Sequence, residues 1–140
     1  MALIEIMKTY SFPKAERLCG QQRIKQLYAD GKRLVCFPLR VSYKITEVGD
    51  QQLEPPLAAV KVLLWAPKSL FRHAVDRNRI RRQMREAYRL SAQPLREVCQ
   101  ARGVQIEIAV NYMTKQQLPY TQIAAAMQKV LSLIGQRSEE

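Results

Sequence analysis

The chain has 140 residues, enough for one domain with its own core, and 47% of them are hydrophobic against 25% charged, a balance that excludes wholesale disorder. Lysine and arginine number 23 against 12 aspartates and glutamates, and the net charge of +11 points to a polyanionic partner. No apolar run approaches the roughly 20 residues of a membrane helix. The opening MALIEIMKTY is a poor signal peptide. Cys19, Cys36 and Cys99 are too scattered for a zinc site or a disulfide framework, which predicts a reducing cytoplasm.

In chain order, Ala15 to Tyr28 reads as a helix with Leu18, Ile24, Leu27 and Tyr28 sharing much of one face, stopped at Asp30-Gly31. Phe37 to Val48 alternates. Leu39, Val41, Tyr43 and Ile45 point one way, and Arg40, Ser42 and Lys44 point the other, which makes a strand with one apolar and one polar, basic face. Gly49 to Pro56 is a loop, and Ala58 to Trp65 is a second, more buried strand, expected to pair antiparallel with the first. A helix begins between His73 and Asp76 and runs to about Ser91. Pro94 starts a short helical or irregular piece capped by Gly103. Val104 to Val110 is a third strand, and Tyr120, Ile123, Ala124, Met127, Leu131 and Ile134 mark a final amphipathic helix after Pro119. The sum is an α+β fold, a small mixed sheet with packed helices. Residues 1–10 and 136–140 are expected as loose tails around a single domain spanning 11–135.

The charge concentrates in Phe71 to Arg89, FRHAVDRNRIRRQMREAYR, which holds seven arginines against two acids, Asp76 and Glu86. Wound as a helix, this segment puts Ile80, Met84 and Ala87 on one narrow stripe with Tyr88 at its edge. Arg77, Arg81, Arg85 and Arg89 form an i, i+4 ladder beside it. Like charges at that spacing cost a few tenths of a kcal/mol each in an isolated helix. Glu86 is placed to relieve Arg82, and most of the face is left unanswered. Arginine's planar fork matches phosphate oxygens and stacks on bases, so the face predicts phosphate binding rather than mere solubility.

The run Ala74-Val75-Asp76-Arg77-Asn78-Arg79-Ile80-Arg81-Arg82-Gln83-Met84-Arg85-Glu86 resembles the signature of the protein subunit of bacterial ribonuclease P. Length, charge and the element order helix, strand, strand, Arg-rich helix, strand, helix also match that family. The resemblance implies that Arg77, Asn78, Arg79, Arg81, Arg82 and Arg85, joined by Lys68, Arg72 and Arg89, bind the catalytic RNA. It implies a cleft between the first helix and the sheet for the 5′ leader of precursor tRNA, with Ile24, Tyr28, Arg40, Ser42 and Lys44 as its residues. Ile24 stands where the family often has an aromatic, and the segment from Lys68 to Ala74 is longer than in common members. The implied activity is removal of the leader. Its Mg²⁺ is held mainly by the RNA, and the implied partners are that RNA and precursor tRNA, with no membrane and no obligate protein partner.

The acids are consistent with a protein that is not itself the catalyst. They are scattered along the chain, and Asp50 and Glu54, though close, sit in a turn-like loop. His73 is the single histidine, as apt for an ordinary surface position as for an RNA contact. Among the aromatics, Tyr28 is the best candidate for stacking on a base, Tyr43 shares the parity of the core positions, and Trp65 reads as core or rim. The rival readings are a general RNA-binding or ribosome-associated protein, a DNA-binding protein and a stand-alone nuclease. The Arg-Asn-Arg signature argues against the first. The lack of helix-turn-helix spacing argues against the second, and the scattered acids against the third.

Overall fold

The computed structural model describes Arg17, Leu18, residues 20–47 and residues 60–138. The expected N-terminal tail, the helix start at Ala15, the Gly49–Pro56 loop and the strand start at Ala58 lie outside them.

The elements are α1 (Gln21–Asp30), β1 (Lys32–Cys36), β2 (Leu39–Glu47), β3 (Val60–Trp65), α2 (Ala74–Ser91), α3 (Gln93–Arg102), β4 (Val104–Tyr112) and α4 (Tyr120–Ser138). The sheet order is β1-β2-β4-β3. β4 runs antiparallel to β2 and parallel to β3, so the sheet is mixed. This corrects the expected antiparallel pairing of the Phe37 to Val48 strand with the Ala58 to Trp65 strand, because β4 lies between β2 and β3. Its alternate residues are buried on both faces, with Ile106, Ile108 and Val110 on one side and Ala109 on the other. A strand apolar on both faces belongs in the middle of a sheet.

The first helix also departs from expectation. Leu18 donates its amide to the Val62 carbonyl at 2.9 Å, and Arg17 bridges to Val62, so the chain is extended there along β3. Gly20, at φ 100°, then turns it into α1, a backbone angle that costs glycine little. At the other end Gly31 donates to the Leu27 carbonyl at 2.8 Å, and a Cβ there would lie 2.3 Å from that same oxygen. Only glycine fits this stop. β1 follows at once, an element the expected pattern omits because KRLVC opens on two cations and shows no clean alternation. It joins β2 through a turn at Phe37-Pro38, whose peptide is cis.

α2 starts after His73, which occupies the cap position without a side-chain cap bond, and runs to Ser91 as expected. Gly103 closes α3 in the left-handed conformation, its amide bonded to the Cys99 carbonyl. α4 runs through Ser138, which corrects the loose tail expected from Gln136. Arg137 donates to the Tyr43 hydroxyl at 2.7 Å and covers that ring, tying the last turn to β2.

The helices α2, α3 and α4 cover one face of the sheet. Ile80, Met84, Ala87 and Tyr88 of α2 meet Leu95, Cys99, Ile123, Met127, Val130 and Ile134 over Val41, Tyr43, Ile106 and Ile108. Burial pushes the Cys99 thiol up to about 12, so it packs as a small hydrophobe. On the opposite face α1 presses Leu27, with Leu18, onto Ala109. Among the described residues no helix is long and apolar enough to cross a membrane.

Met84 is fully buried between α2 and the other helices. Met84→Ala should cost about 2–5 kcal/mol through lost burial and the cavity left behind. Urea unfolding checks this, with a shifted midpoint and an unchanged slope as the expected result.

Candidate nucleic-acid interface

The seam of α2 turns its cations outward. Lys68, Arg72, Asn78, Arg79, Arg82 and Arg85 are exposed, and Arg77, Arg81 and Arg89 are half-buried. Among the described residues, Arg72, Arg79, Arg82 and Arg85 take part in no ion pair, and they form the open part of the cationic face.

The other three arginines already have work within the fold. Arg89, not Arg82, pairs with Glu86 at 2.5 Å, and its hydrogen bond holds the Glu86 carboxyl below the ordinary carboxylate range. The i+3 arginine wins because its fork engages both carboxylate oxygens, Nε to Oε2 and Nη2 to Oε1. Arg81 donates to Asn78 Oδ1, and its guanidinium lies over the Trp65 ring at 5.8 Å from the centroid. Arg77 Nη1 donates to the carbonyls of Phe71 and Arg72, at 2.9 and 3.0 Å. It thereby ties down the loop that carries Lys68 and Arg72, which the Pro67 carbonyl also closes by accepting the Leu70 and Phe71 amides. Gln117, from the connection before α4, donates to Asp76 Oδ1 at 3.0 Å.

The second candidate surface is on the α1 side of the sheet. Register aligns three rows across the strands. Val35, Arg40, Asn111 and Trp65 form one row over all four strands. Arg33, Ser42, Ala109 and Leu63 form the next, and Lys44, Glu107 and Lys61 the third. α1 lies over the middle row, where Leu27 covers Ala109. The first row is left as the floor of a groove of about 810 Å³, walled by Tyr28 and by the Pro67, Ser69 and Leu70 loop. Among the described residues its cations are Arg33 and Arg40, and no acid lines it. The Tyr28 hydroxyl donates to Asn111 Oδ1 at 3.2 Å and accepts from Asn111 Nδ2 at 3.0 Å, which pins the ring against the floor.

Of the five residues expected around the first helix, the structure brings Tyr28, Arg40 and Ser42 together in this groove. Ser42 is almost fully buried in its floor at 5% exposure. Lys44 stands two rows away and lines a separate small hollow with Asp30 and Lys32. Ile24 is half-buried against the Leu18, Leu27 and Ala109 cluster. Both depart from the expected set for one reason: α1 divides that face of the sheet, and only one side of it is the groove. Three further residues line the same groove: Arg33 and Asn111, which the sequence reading does not single out, and Trp65, which it reads as core or rim. Arg33 belongs to the strand the pattern omits, and Asn111 and Trp65 come together only through the register of β3 and β4. A further hollow of about 480 Å³, between α2, α3 and α4, has no charged residue among the described residues of its lining and so supplies no countercharge to a phosphate. Among the described residues, no three His, Cys, Asp or Glu side chains come together in a set that could hold a metal ion.

The role of Arg77 can be tested on the isolated protein. Hydrogen bonds from a charged donor contribute up to about 3 kcal/mol, and partial exposure reduces that to about 1–2 kcal/mol here. Arg77→Ala should therefore speed amide exchange at Leu70 and Phe71 by about 5–30-fold, whereas Arg79→Ala should leave it unchanged. Equal exchange rates in both variants would refute the loop-holding role.

The family model for ribonuclease P matches residues 12–135. The ribonuclease P protein component of Porphyromonas gingivalis is 35% identical over 127 residues, covering 91% of this chain and 88% of that protein. The solved RNase P protein of Staphylococcus aureus superposes with a TM-score of 0.63 at 18% identity, over 86% of this chain and 96% of its own. The Thermotoga maritima protein gives 0.61 at 15% identity, over 84% and 96%. At such identities the two structures speak for the fold, while the family model and the sequence relative speak for descent. The chain belongs to the ribonuclease P protein family, the protein component of a ribonucleoprotein.

Proposed function

We propose that this chain binds the catalytic RNA of ribonuclease P through the open arginine face of α2. The groove beside α1 takes the 5′ leader of precursor tRNA, and the complex removes that leader. The observation that carries the reading is the pairing of two cationic surfaces in one small domain. Arg72, Arg79, Arg82 and Arg85 face outward from one layer. On the other, the groove sets Arg33 and Arg40 beside Tyr28. Two RNAs brought together repel through their phosphates, and a protein between them supplies the countercharge. A groove with cations and aromatic surface suits a single strand, whose backbone is tracked electrostatically and whose bases stack.

Cleavage itself belongs to the RNA in this reading. The Mg²⁺ is assigned mainly to RNA phosphates, the oxygen ligands that this hard cation prefers. The contribution of the protein is to bind, to orient the leader and to lower the phosphate repulsion that the ion would otherwise face alone.

Reconstitution tests this. The chain, a bacterial ribonuclease P RNA and a 5′-extended precursor tRNA should together give cleavage at the mature 5′ end at low Mg²⁺, where neither component alone does. Cleavage by the protein alone would sink the assignment, and RNA binding without stimulation of a cognate RNA would favour a general RNA-binding module. The folded Arg79→Ala, Arg82→Ala, Arg85→Ala triple variant should bind the catalytic RNA more weakly. Its salt dependence should flatten by about 0.7–0.9 in log-log slope per lost phosphate contact. An unaltered slope and affinity would remove the arginine face from the interface.

The groove makes a separate prediction. Tyr28→Ala should weaken holoenzyme binding of leader-bearing precursor by about 5–100-fold, the range for one lost base stack, and leave mature tRNA binding unchanged. Comparable losses for both ligands would move the leader elsewhere.

A further inference from the structure

Trp65 is the single tryptophan of the chain and ends β3. It is 45% exposed, an unusual amount for so large an apolar side chain with a strand's worth of core beside it. Its position explains why both layers reach it. β3 is an edge strand, so α2 can extend Arg81 past the edge, and the guanidinium covers the indole at 5.8 Å from the ring centroid. The exposed remainder lines the groove on the α1 side. Asn111 links the two aromatic residues there. It faces Trp65 across the β3–β4 ladder and exchanges hydrogen bonds with Tyr28. Adjacent strands lie about 4.8 Å apart, so the indole stands next to Asn111 on the floor, and Asn111 holds the phenol that walls it.

We propose that Trp65 is a stacking platform for a nucleobase of the 5′ leader, with Arg81 backing the indole from the far side. An indole has the largest π surface of any side chain, and base–aromatic stacking tolerates any base. The guanidinium adds a cation–π contact that stiffens the ring in place. Arg81 thereby acts as a positioning residue, coupling the arginine helix to the leader groove. The proposal rests on the leader occupying that groove, and it adds a specific contact that the groove reading alone does not require.

The test uses the holoenzyme, assembled from the full chain and the catalytic RNA. Trp65 supplies the signal, because its fluorescence is the only indole emission in the complex. The titrants are precursor tRNA, the same precursor with abasic sugars in the leader, and mature tRNA. Stacking predicts strong quenching by the first and little by the other two. Trp65→Leu should bind precursor about 5–100-fold more weakly with mature tRNA unaffected, and Trp65→Phe should recover most of that loss.

Equal quenching by intact and abasic leaders overturns the stacking role. So does Trp65→Leu binding precursor like the wild type, or weakening precursor and mature tRNA alike without rescue by Phe. The wild-type ratio of precursor to mature affinity separates the two layers of the argument. A ratio well above one alongside an indifferent Trp65 leaves the groove standing and removes only the platform. A ratio of one removes the groove, and the platform with it.

Discussion

Burial of Ile80, Met84, Ala87 and Tyr88 against the helical layer decides where every arginine of α2 points. Each large apolar side chain taken out of water contributes about 1.5–3 kcal/mol. Each like-charged pair on the exposed side costs only a few tenths. The seam therefore wins, and the helix forms with its cations already displayed. An unpaired guanidinium has no place in a core, so the narrowness of the seam guarantees a broad cationic face. The face is also less uniform than its composition suggests. Arg77 closes a loop, Arg81 backs Trp65 and Arg89 pairs with Glu86. What remains open to phosphate is chiefly Arg72, Arg79, Arg82 and Arg85.

The groove arises from a different constraint. α1 is ten residues long and covers one row of the sheet, the one holding Ala109. Alanine at that position lets Leu27 approach closely. The helix leaves the neighbouring row uncovered, and that row carries Val35, Arg40, Asn111 and Trp65. Because β3 is an edge strand, its end of that row is also the place where α2 comes within reach. The two cationic surfaces of the molecule meet at the sheet edge through one indole and one guanidinium.

Much of this is visible in the residues before any folding. The 3.6-residue period of α2 and the stop at Asp30-Gly31 are local signals, as are the Gly103 cap and the alternation in β2 and β4. Each is written within a few turns of chain. The Arg-Asn-Arg signature likewise identifies the family from contiguous residues. The parity of Tyr43 places it in the core, where it is fully buried. The cationic face is readable as a face because helical periodicity alone assigns its residues to one side.

What the linear chain leaves open is everything set by pairing between distant segments. Nothing local tells β3 to run parallel to β4 instead of antiparallel to β2, since both strands are apolar and both partners are available. The burial of β4 on two faces decides it, against the closure entropy of the longer crossover. Partner choice follows the same rule. Arg82 and Arg89 both lie within reach of Glu86, and the fork geometry of the folded helix selects Arg89. The leader-side residues depend on tertiary structure most of all. Alternation puts Arg40, Ser42 and Lys44 on one face, but only the position of α1 separates Lys44 from the other two. Asn111 and Trp65 are 46 residues apart in sequence. They become neighbours because β4 inserts beside β3, and no pattern in either segment alone announces that contact.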